Sequence, residues 1–228
     1  MVVVEFRGVS KVYARAAGGR VDALVDATFQ IGAGETAVVS GPSGAGKSTL
    51  LRLVYGEERA TRGSVLVDGV DIATLDRRGL AGLRRRLGVV PQDERLLADR
   101  TVFGNVAFVL RALGVPRAEV RPRAFGTLRE AGLAQRLNAL PSELAHGERR
   151  RLLLARALAP GPGLLLVDEP SDTRVDAGGE EILGLLRAAQ GRGLTMLVTT
   201  RCPELAPRLD AVALRLEGGR LRREGDPG

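Results

Sequence analysis

The sequence predicts an α/β fold with a mainly parallel central sheet, a small antiparallel β-subdomain and a helical subdomain. Three observations predict it. Apolar strand-like runs alternate with helical segments along most of the 228 residues, the pattern of a parallel sheet covered by helices. A glycine-rich stretch, Gly41-Pro42-Ser43-Gly44-Ala45-Gly46-Lys47-Ser48-Thr49, joins a buried-looking strand at 35–40 to a helix that opens near Lys47. A second apolar run, Leu164-Leu165-Leu166-Val167, ends in Asp168-Glu169. Charged groups thus collect where strands end, which is where open α/β sheets hold their ligands.

In chain order, 2–6 and 9–13 read as strand, a loop follows at Ala17-Gly18-Gly19-Arg20, and 21–31 reads as further strand. Gly32-Ala33-Gly34 then turns the chain into the strand at 35–40. Two short early strands make the small β-subdomain. Tyr13 offers a π-face on which a flat ring can stack; its other reading is a core or turn tyrosine.

The stretch at 41–49 has the form G-x-x-x-x-G-K-[ST], a phosphate-binding loop when it joins a strand to a helix. Glycines let the backbone approach an anion closely. Successive N–H groups and the positive end of the following helix then cradle phosphate. Lys47 is suited to bridge the β- and γ-phosphates, and the Ser48 hydroxyl to hold Mg²⁺. The chain has two lysines, Lys11 and Lys47, and otherwise uses arginine. A lysine at this position argues for a point charge rather than a planar fork.

Residues 64–72 read as a hairpin around Asp68-Gly69. Residues 76–86 form a basic helix suited to anionic headgroups, each arginine contributing roughly 1 kcal/mol near such a surface. Leu87-Gly88-Val89-Val90 is a short strand leading to Pro91-Gln92-Asp93. Gln92 is placed to reach a ligand or metal, or is an ordinary loop glutamine. Two helices at 102–113 and 117–131 are broken at Gly114-Val115-Pro116; they carry no chemistry and read as a packing or docking unit. After Leu144-Ala145-His146-Gly147-Glu148 comes a helix at 149–158. The strand at 164–169 delivers Asp168 to a Mg²⁺ shell and Glu169 to a water it can orient or deprotonate. Strands at 194–200 and 211–216 follow, and Gly218-Gly219 turns into 220–224.

The length fits one domain, 1–228, with a helical subdomain at about 93–160, and is enough to bury a substantial core. Hydrophobic residues make up 44% and charged residues 27%, as in soluble globular proteins. Aromatics, at 3%, leave the core to Leu, Val and Ala. The formal charge of +7 includes the runs Arg84-Arg85-Arg86 and Arg149-Arg150-Arg151. No aromatic residues interleave with these arginines as a single-strand binder requires. A solvated basic face is the favoured reading, and no nucleic-acid partner is expected. Cys202 is the one cysteine, so no internal disulfide forms and a reducing compartment fits. The first residues lack the apolar core of a signal peptide. No apolar run approaches the ~18 residues that span a bilayer, so a membrane role is expected to come through a partner.

With these residues in order, the chain resembles an ABC-type ATPase subunit along nearly its whole length: Tyr13, the loop at 41–49, Gln92, the Leu144-to-Glu148 segment and Asp168-Glu169-Pro170. The resemblance implies that Tyr13 stacks on adenine, that Gln92 contacts Mg²⁺ and senses the γ-phosphate, and that Glu169 is the catalytic base. It implies ATP and Mg²⁺ as cofactors and a membrane complex. Within the family, the stretches at 53–63 and 95–103 resemble the cell-division type, FtsE. That likeness implies a homodimer on the cytoplasmic face of the inner membrane, held there by an FtsX-like transmembrane protein. The alternatives are the ATPase of a lipoprotein-release or macrolide-type exporter, or a hydrolysis-impaired, ATP-gated structural switch.

Three departures from the family pattern lie on the γ-phosphate side. The signature segment, usually Leu-Ser-Gly-Gly-Gln/Glu, acts on the nucleotide of the other subunit; here Ala145 lacks the serine hydroxyl and His146 replaces a glycine. Either His146 donates an N–H to the γ-phosphate, or the segment has drifted and closure is weakened. The histidine that ends the family's next strand is Arg201, which can reach the γ-phosphate or pair with a surface acid. In Ser171-Asp172-Thr173-Arg174-Val175-Asp176, Val175 stands where the family has its dimer-interface aspartate. The expectation is tight Mg-ATP binding with slow hydrolysis.

Overall fold

The structure, a computed structural model, describes residues 2–14, 19–170 and 177–225. The chain runs β1 (Val2–Ala14), β2 (Arg20–Gly32), β3 (Thr36–Ser40), α1 (Lys47–Val54), β4 (Arg62–Val67) and β5 (Val70–Asp71). Then come α2 (Arg77–Arg85), β6 (Leu87–Val90), α3 (Val102–Ala112), α4 (Arg117–Glu130) and α5 (His146–Leu158). It continues with β7 (Leu164–Asp168), α6 (Ala177–Gly191), β8 (Thr195–Thr200), α7 (Leu205–Arg208), β9 (Val212–Glu217) and β10 (Arg220–Arg223).

The strands form two sheets. One has the order β10-β9-β3-β8-β7-β6 and is parallel except for β10 on β9. The other, β2-β1-β4-β5, is antiparallel. Every residue of β3, β7 and β8 is buried, as expected of parallel strands covered on both faces. Because successive side chains point to opposite faces, these strands feed two cores. Val38, Leu165, Val167, Met196 and Val198 face the helices α3 to α6. Ala37, Val39, Leu164, Leu166 and Leu197 face α1 and the antiparallel sheet. The central sheet is a wall between them, and its carboxyl edge is held from both sides.

Local chemistry accounts for the element ends. Asp68 and Gly69 take φ of 51° and 78°, the two left-handed positions of a tight Asp-Gly hairpin. Asp76 caps α2 by accepting from the Gly79 N–H at 2.7 Å, and Thr101 caps α3 through Gly104 at 3.0 Å. On α2, Arg84 donates to the carbonyls of Tyr55 and Gly56, just past α1, and Arg86, the residue that caps α2, pairs with Asp68 at 2.9 Å. Part of that basic face therefore fixes the helix to the hairpin and to α1.

Three expectations change, and a fourth lies outside the described residues. β1 and β2 are not short: each spans 13 residues, the 2–6 and 9–13 runs being one strand that bulges between Phe6 and Val9. α5 begins at His146 rather than at 149, because extended Ala145 and the carboxylate of Glu148 close its first turn. α6 was not among the expected elements, although Ile182, Leu183, Leu186 and Ala189 lie at helical spacing and are buried. The segment at 171–176, with Val175 and Asp176, lies outside the described residues.

Candidate functional site

The glycine-rich loop lies at the carboxyl end of β3, pressed between two backbones. A Cβ on Gly41 would stand 2.2 Å from the Leu216 carbonyl, and one on Gly46 2.2 Å from that of Ala23. Gly46 has φ of 106°, a region essentially closed to other residues. It precedes α1, which has no side-chain cap and no acid in its first turn. The positive end of that helix is left for an external anion.

Lys47, 6% exposed, is folded back over the loop. Its Nζ donates to the carbonyls of Gly41 and Pro42 at 2.8 and 3.0 Å and lies 3.2 Å from Glu169 Oε1. Glu169 is buried and carries φ of 50°, a strained conformation for a non-glycine residue. Its N–H donates to the Thr199 carbonyl on β8 at 3.0 Å, which fixes it there. Its Oε2 accepts from the Arg201 N–H at 3.2 Å and stands 3.6 Å from Arg201 Nε. One residue earlier, Asp168 Oδ1 accepts from the Thr199 hydroxyl at 2.6 Å.

These groups border a cleft of about 270 Å³ lined by Tyr13, Ser43, Gly44, Gly46, Lys47, Ser48, Thr49, Gln92, Glu169 and Arg201, with Val21 and Ala23. Of the predicted loop residues, Gly41, Pro42 and Ala45 do not line it; the Gly41 and Pro42 carbonyls instead accept from Lys47 Nζ. The Tyr13 hydroxyl is 3.4 Å from Thr49 Oγ1, and Lys11 Nζ stands 4.8 Å above one face of its ring. A smaller adjoining cleft of about 80 Å³ brings Ser48, Gln92 and Asp168 together. Ala145, His146 and Gly147 border neither cleft. They open α5, where Glu148 Oε2 accepts from the Ala145 N–H at 2.8 Å. That N–H, helped by Arg136 and opposed by burial, holds the Glu148 carboxyl below its ordinary range. Ala145 has no oxygen with which to complete the reciprocal cap.

Arg201 therefore faces the cleft and pairs with Glu169, the site's own acid. Sequence reasoning missed Thr199, which anchors both acids, although a Thr-Thr pair ending an apolar run was a readable signal. It also missed Lys11 and Glu94, which reach their partners across distant parts of the chain.

Among the described residues no group of three or more His, Cys, Asp or Glu is arranged to hold a metal. Ser48, Gln92 and Asp168 offer a hydroxyl, an amide carbonyl and one carboxylate. That hard, sparse oxygen set suits Mg²⁺, which keeps waters and takes few protein ligands beside substrate phosphates.

The sequence profile of the ABC transporter family matches residues 24–172, well over half of the chain. The chain belongs to the ABC transporter ATP-binding family. It is 41% identical to the methionine import ATP-binding protein MetN of Symbiobacterium thermophilum over 98% of this chain and 67% of that protein. It is 40% identical to the cell division ATP-binding protein FtsE of Escherichia coli strain K12 over 96% of this chain and 97% of that protein. Among solved structures, the ATP-binding cassette MJ0796, dimeric and bound to ADP and Pi in a post-hydrolysis state, superposes with a TM-score of 0.89 at 31% identity. That match covers 99% of both chains. The expected fold, a P-loop ATPase cassette with a mainly parallel sheet, an antiparallel β-subdomain and a helical subdomain, is the one observed. ATP is the family's nucleotide.

Proposed function

We propose that this ABC chain binds and hydrolyses Mg-ATP as a homodimer and drives a membrane partner of the FtsX type, in the manner of FtsE. One observation carries the ATPase reading. Lys47, Gln92, Glu169 and Arg201 converge on the glycine-rich loop from the carboxyl ends of β3, β6, β7 and β8. The FtsE-like part is supported by a match across 97% of that protein's length and by the stretches at 53–63 and 95–103. Residues 93–160 act as the helical subdomain of a single nucleotide-binding unit. No described helix is long and apolar enough to cross a membrane. In this reading attachment is through the partner, on the cytoplasmic face of the inner membrane.

In this mechanism the loop N–H groups and the end of α1 bind the phosphates, and Tyr13 presents its open face to adenine. Lys47 leaves Glu169 for the β- and γ-phosphates. Glu169, released, orients the attacking water and takes its proton. Ser48, Gln92 and Asp168 would hold Mg²⁺, which supplies neutralisation of phosphate charge. Ala145 and His146 act across the dimer, and the missing serine hydroxyl slows the reaction. Losing one such stabiliser costs about 3 kcal/mol, on the order of a hundredfold in rate. A methionine-import role is the second reading, favoured by the 41–42% identity to MetN proteins.

The test is steady-state ATP turnover beside nucleotide affinity, with Lys47→Ala and Glu169→Gln as controls. Slow turnover abolished by both changes supports the proposal. Turnover equal to that of an intact FtsE removes the slow-hydrolysis part, and absence of ATP binding removes the whole. Co-purification with an FtsX-type or a methionine-permease-type membrane protein separates the two roles.

A further inference from the structure

Two residues beyond Gln92, the Glu94 carboxylate reaches α5. Its Oε2 stands 2.5 Å from Arg149 Nε. Its Oε1 stands 3.2 Å from His146 Nε2 and 3.7 Å from Arg150 Nε. His146, Arg149 and Arg150 are spaced i, i+3, i+4 on the first turns of α5 and so share one face. Arg149 also donates to the Leu144 carbonyl at 2.6 Å, which ties the same cluster to the segment before the helix. Arg150 is 9% exposed. Its Nε and Nη1 have no hydrogen-bond partner among the described residues, nor has Glu94 Oε1. Glu94 is thus the nearby counter-charge for a buried guanidinium, and the contact between them is only partly made.

The surrounding loop is held by the same side of the molecule. Arg156 of α5 donates to the Arg95 carbonyl at 2.7 Å. The Asn105 side chain of α3, fully buried, accepts from the Leu97 N–H and donates to the carbonyls of Leu97, Arg100 and Thr101. From Glu94 onward the loop is bolted to α3 and α5, whereas Gln92 borders both clefts of the site. Two residues of chain span at most about 7 Å. The link is short, and it is turned just beyond Gln92, where the Arg95 N–H donates to the Asp93 carbonyl at 2.8 Å, so few residues separate a movement of α5 from Gln92.

We infer that Glu94 is a positioning residue. Its carboxylate clamps the Gln92 loop to the first turn of α5, so that nucleotide contact at Gln92 is transmitted to the Leu144–Glu148 segment. The inference rests on the nucleotide-site reading of Gln92 given above. It gives His146 and the neighbouring arginines a role within their own subunit. The 3.7 Å ion pair between Glu94 Oε1 and Arg150 Nε is one that a small approach of α5 would shorten to a hydrogen bond.

The experiment compares the full chain with Glu94→Gln, a near-isosteric loss of charge, and with Arg149→Gln, which breaks the clamp from the other side. ATP affinity is measured by calorimetry, and amide hydrogen exchange is followed at 146–152 with and without ATP. In the parent, ATP slows exchange at 146–152; a coupling between linked sites typically amounts to about fivefold or more. Both variants lose that response while keeping ATP affinity within about threefold, and the double variant is no worse than either single one. A response as large as the parent's in both variants overturns the clamp. So does a parallel fall in affinity and thermal stability, which marks a merely structural role. A parent that binds ATP without any response at 146–152 overturns it too. A parent that fails to bind ATP removes the nucleotide-site reading and the clamp with it, and the affinity measurement identifies that case. If Glu94→Gln fails to fold, Arg149→Gln alone decides.

Discussion

Lys47 cannot hold Glu169 and a triphosphate with full strength at once, and replacing Glu169 by Gln turns that competition into numbers. The pair is separated by 3.2 Å and both side chains are less than a tenth exposed. Breaking one partner of a buried pair costs about 3–5 kcal/mol. The cost here is smaller, because Lys47 keeps the carbonyls of Gly41 and Pro42 and the Arg201 backbone N–H can still donate to the amide oxygen. About 2 kcal/mol is the expected loss. For a chain of this size it lowers the melting temperature by about 4–8 °C. The same energy no longer opposes phosphate binding, so nucleotide affinity rises by roughly tenfold or more. The assay is thermal melting of parent and Glu169→Gln without nucleotide, beside calorimetric titration with ADP, which leaves no bond to hydrolyse. A variant that is less stable when empty and tighter for ADP fits the exchange of partners. Unchanged ADP affinity together with an unchanged melting temperature would refute it.

Three further outcomes follow from particular contacts. Gly46→Ala forces a Cβ to 2.2 Å from the Ala23 carbonyl at φ of 106°; strain of about 1–3 kcal/mol before the clash is counted should abolish nucleotide binding and lower the melting temperature. Thr199→Val removes the hydroxyl that donates to Asp168 at 2.6 Å and should cost about 1–3 kcal/mol, with a higher Mg²⁺ requirement in a turnover titration. The Glu148 carboxyl is depressed by the Ala145 N–H. Its capping stability is therefore fully present above the ordinary carboxylate range and is lost as pH falls through the lower folded value. Glu148→Gln should flatten that acid limb of a stability-versus-pH curve and cost about 0.5–1 kcal/mol at neutral pH.

The glycine-rich loop was legible because its chemistry is contiguous: strand, turn and helix lie within twenty residues, and each requirement is local. Asp168 and Glu169 were legible for the same reason, as acids ending an apolar run. The fold class is legible from the alternation of strands and helices together with these two strand ends. The contacts that join separate strands were not. Glu169 meets Arg201 and Thr199 only because β7 and β8 are neighbours in the sheet. Glu94 meets His146 only because α5 packs beside the loop after β6. The start of α5 is not legible in the sequence, because Gly147 and the absence of a side-chain oxygen at Ala145 both argue against a helix there, while Glu148 closes the turn. Tyr13 admits two readings from the sequence; in the structure it borders the cleft, with Lys11 Nζ over one face of its ring.

Both lysines of the chain lie beside the cleft, one in β1 and one at the first residue of α1. A protease that cuts only after lysine has just two peptide bonds to attack, and both are locked in regular structure. Lys47 is covered by Glu169, and Lys11 is tied to Glu58 at 2.7 Å. Digestion by such an enzyme proceeds only as fast as this corner opens. The rate at which the intact band disappears from a gel then reads the opening of the phosphate loop, with nucleotide added or withheld, without any label.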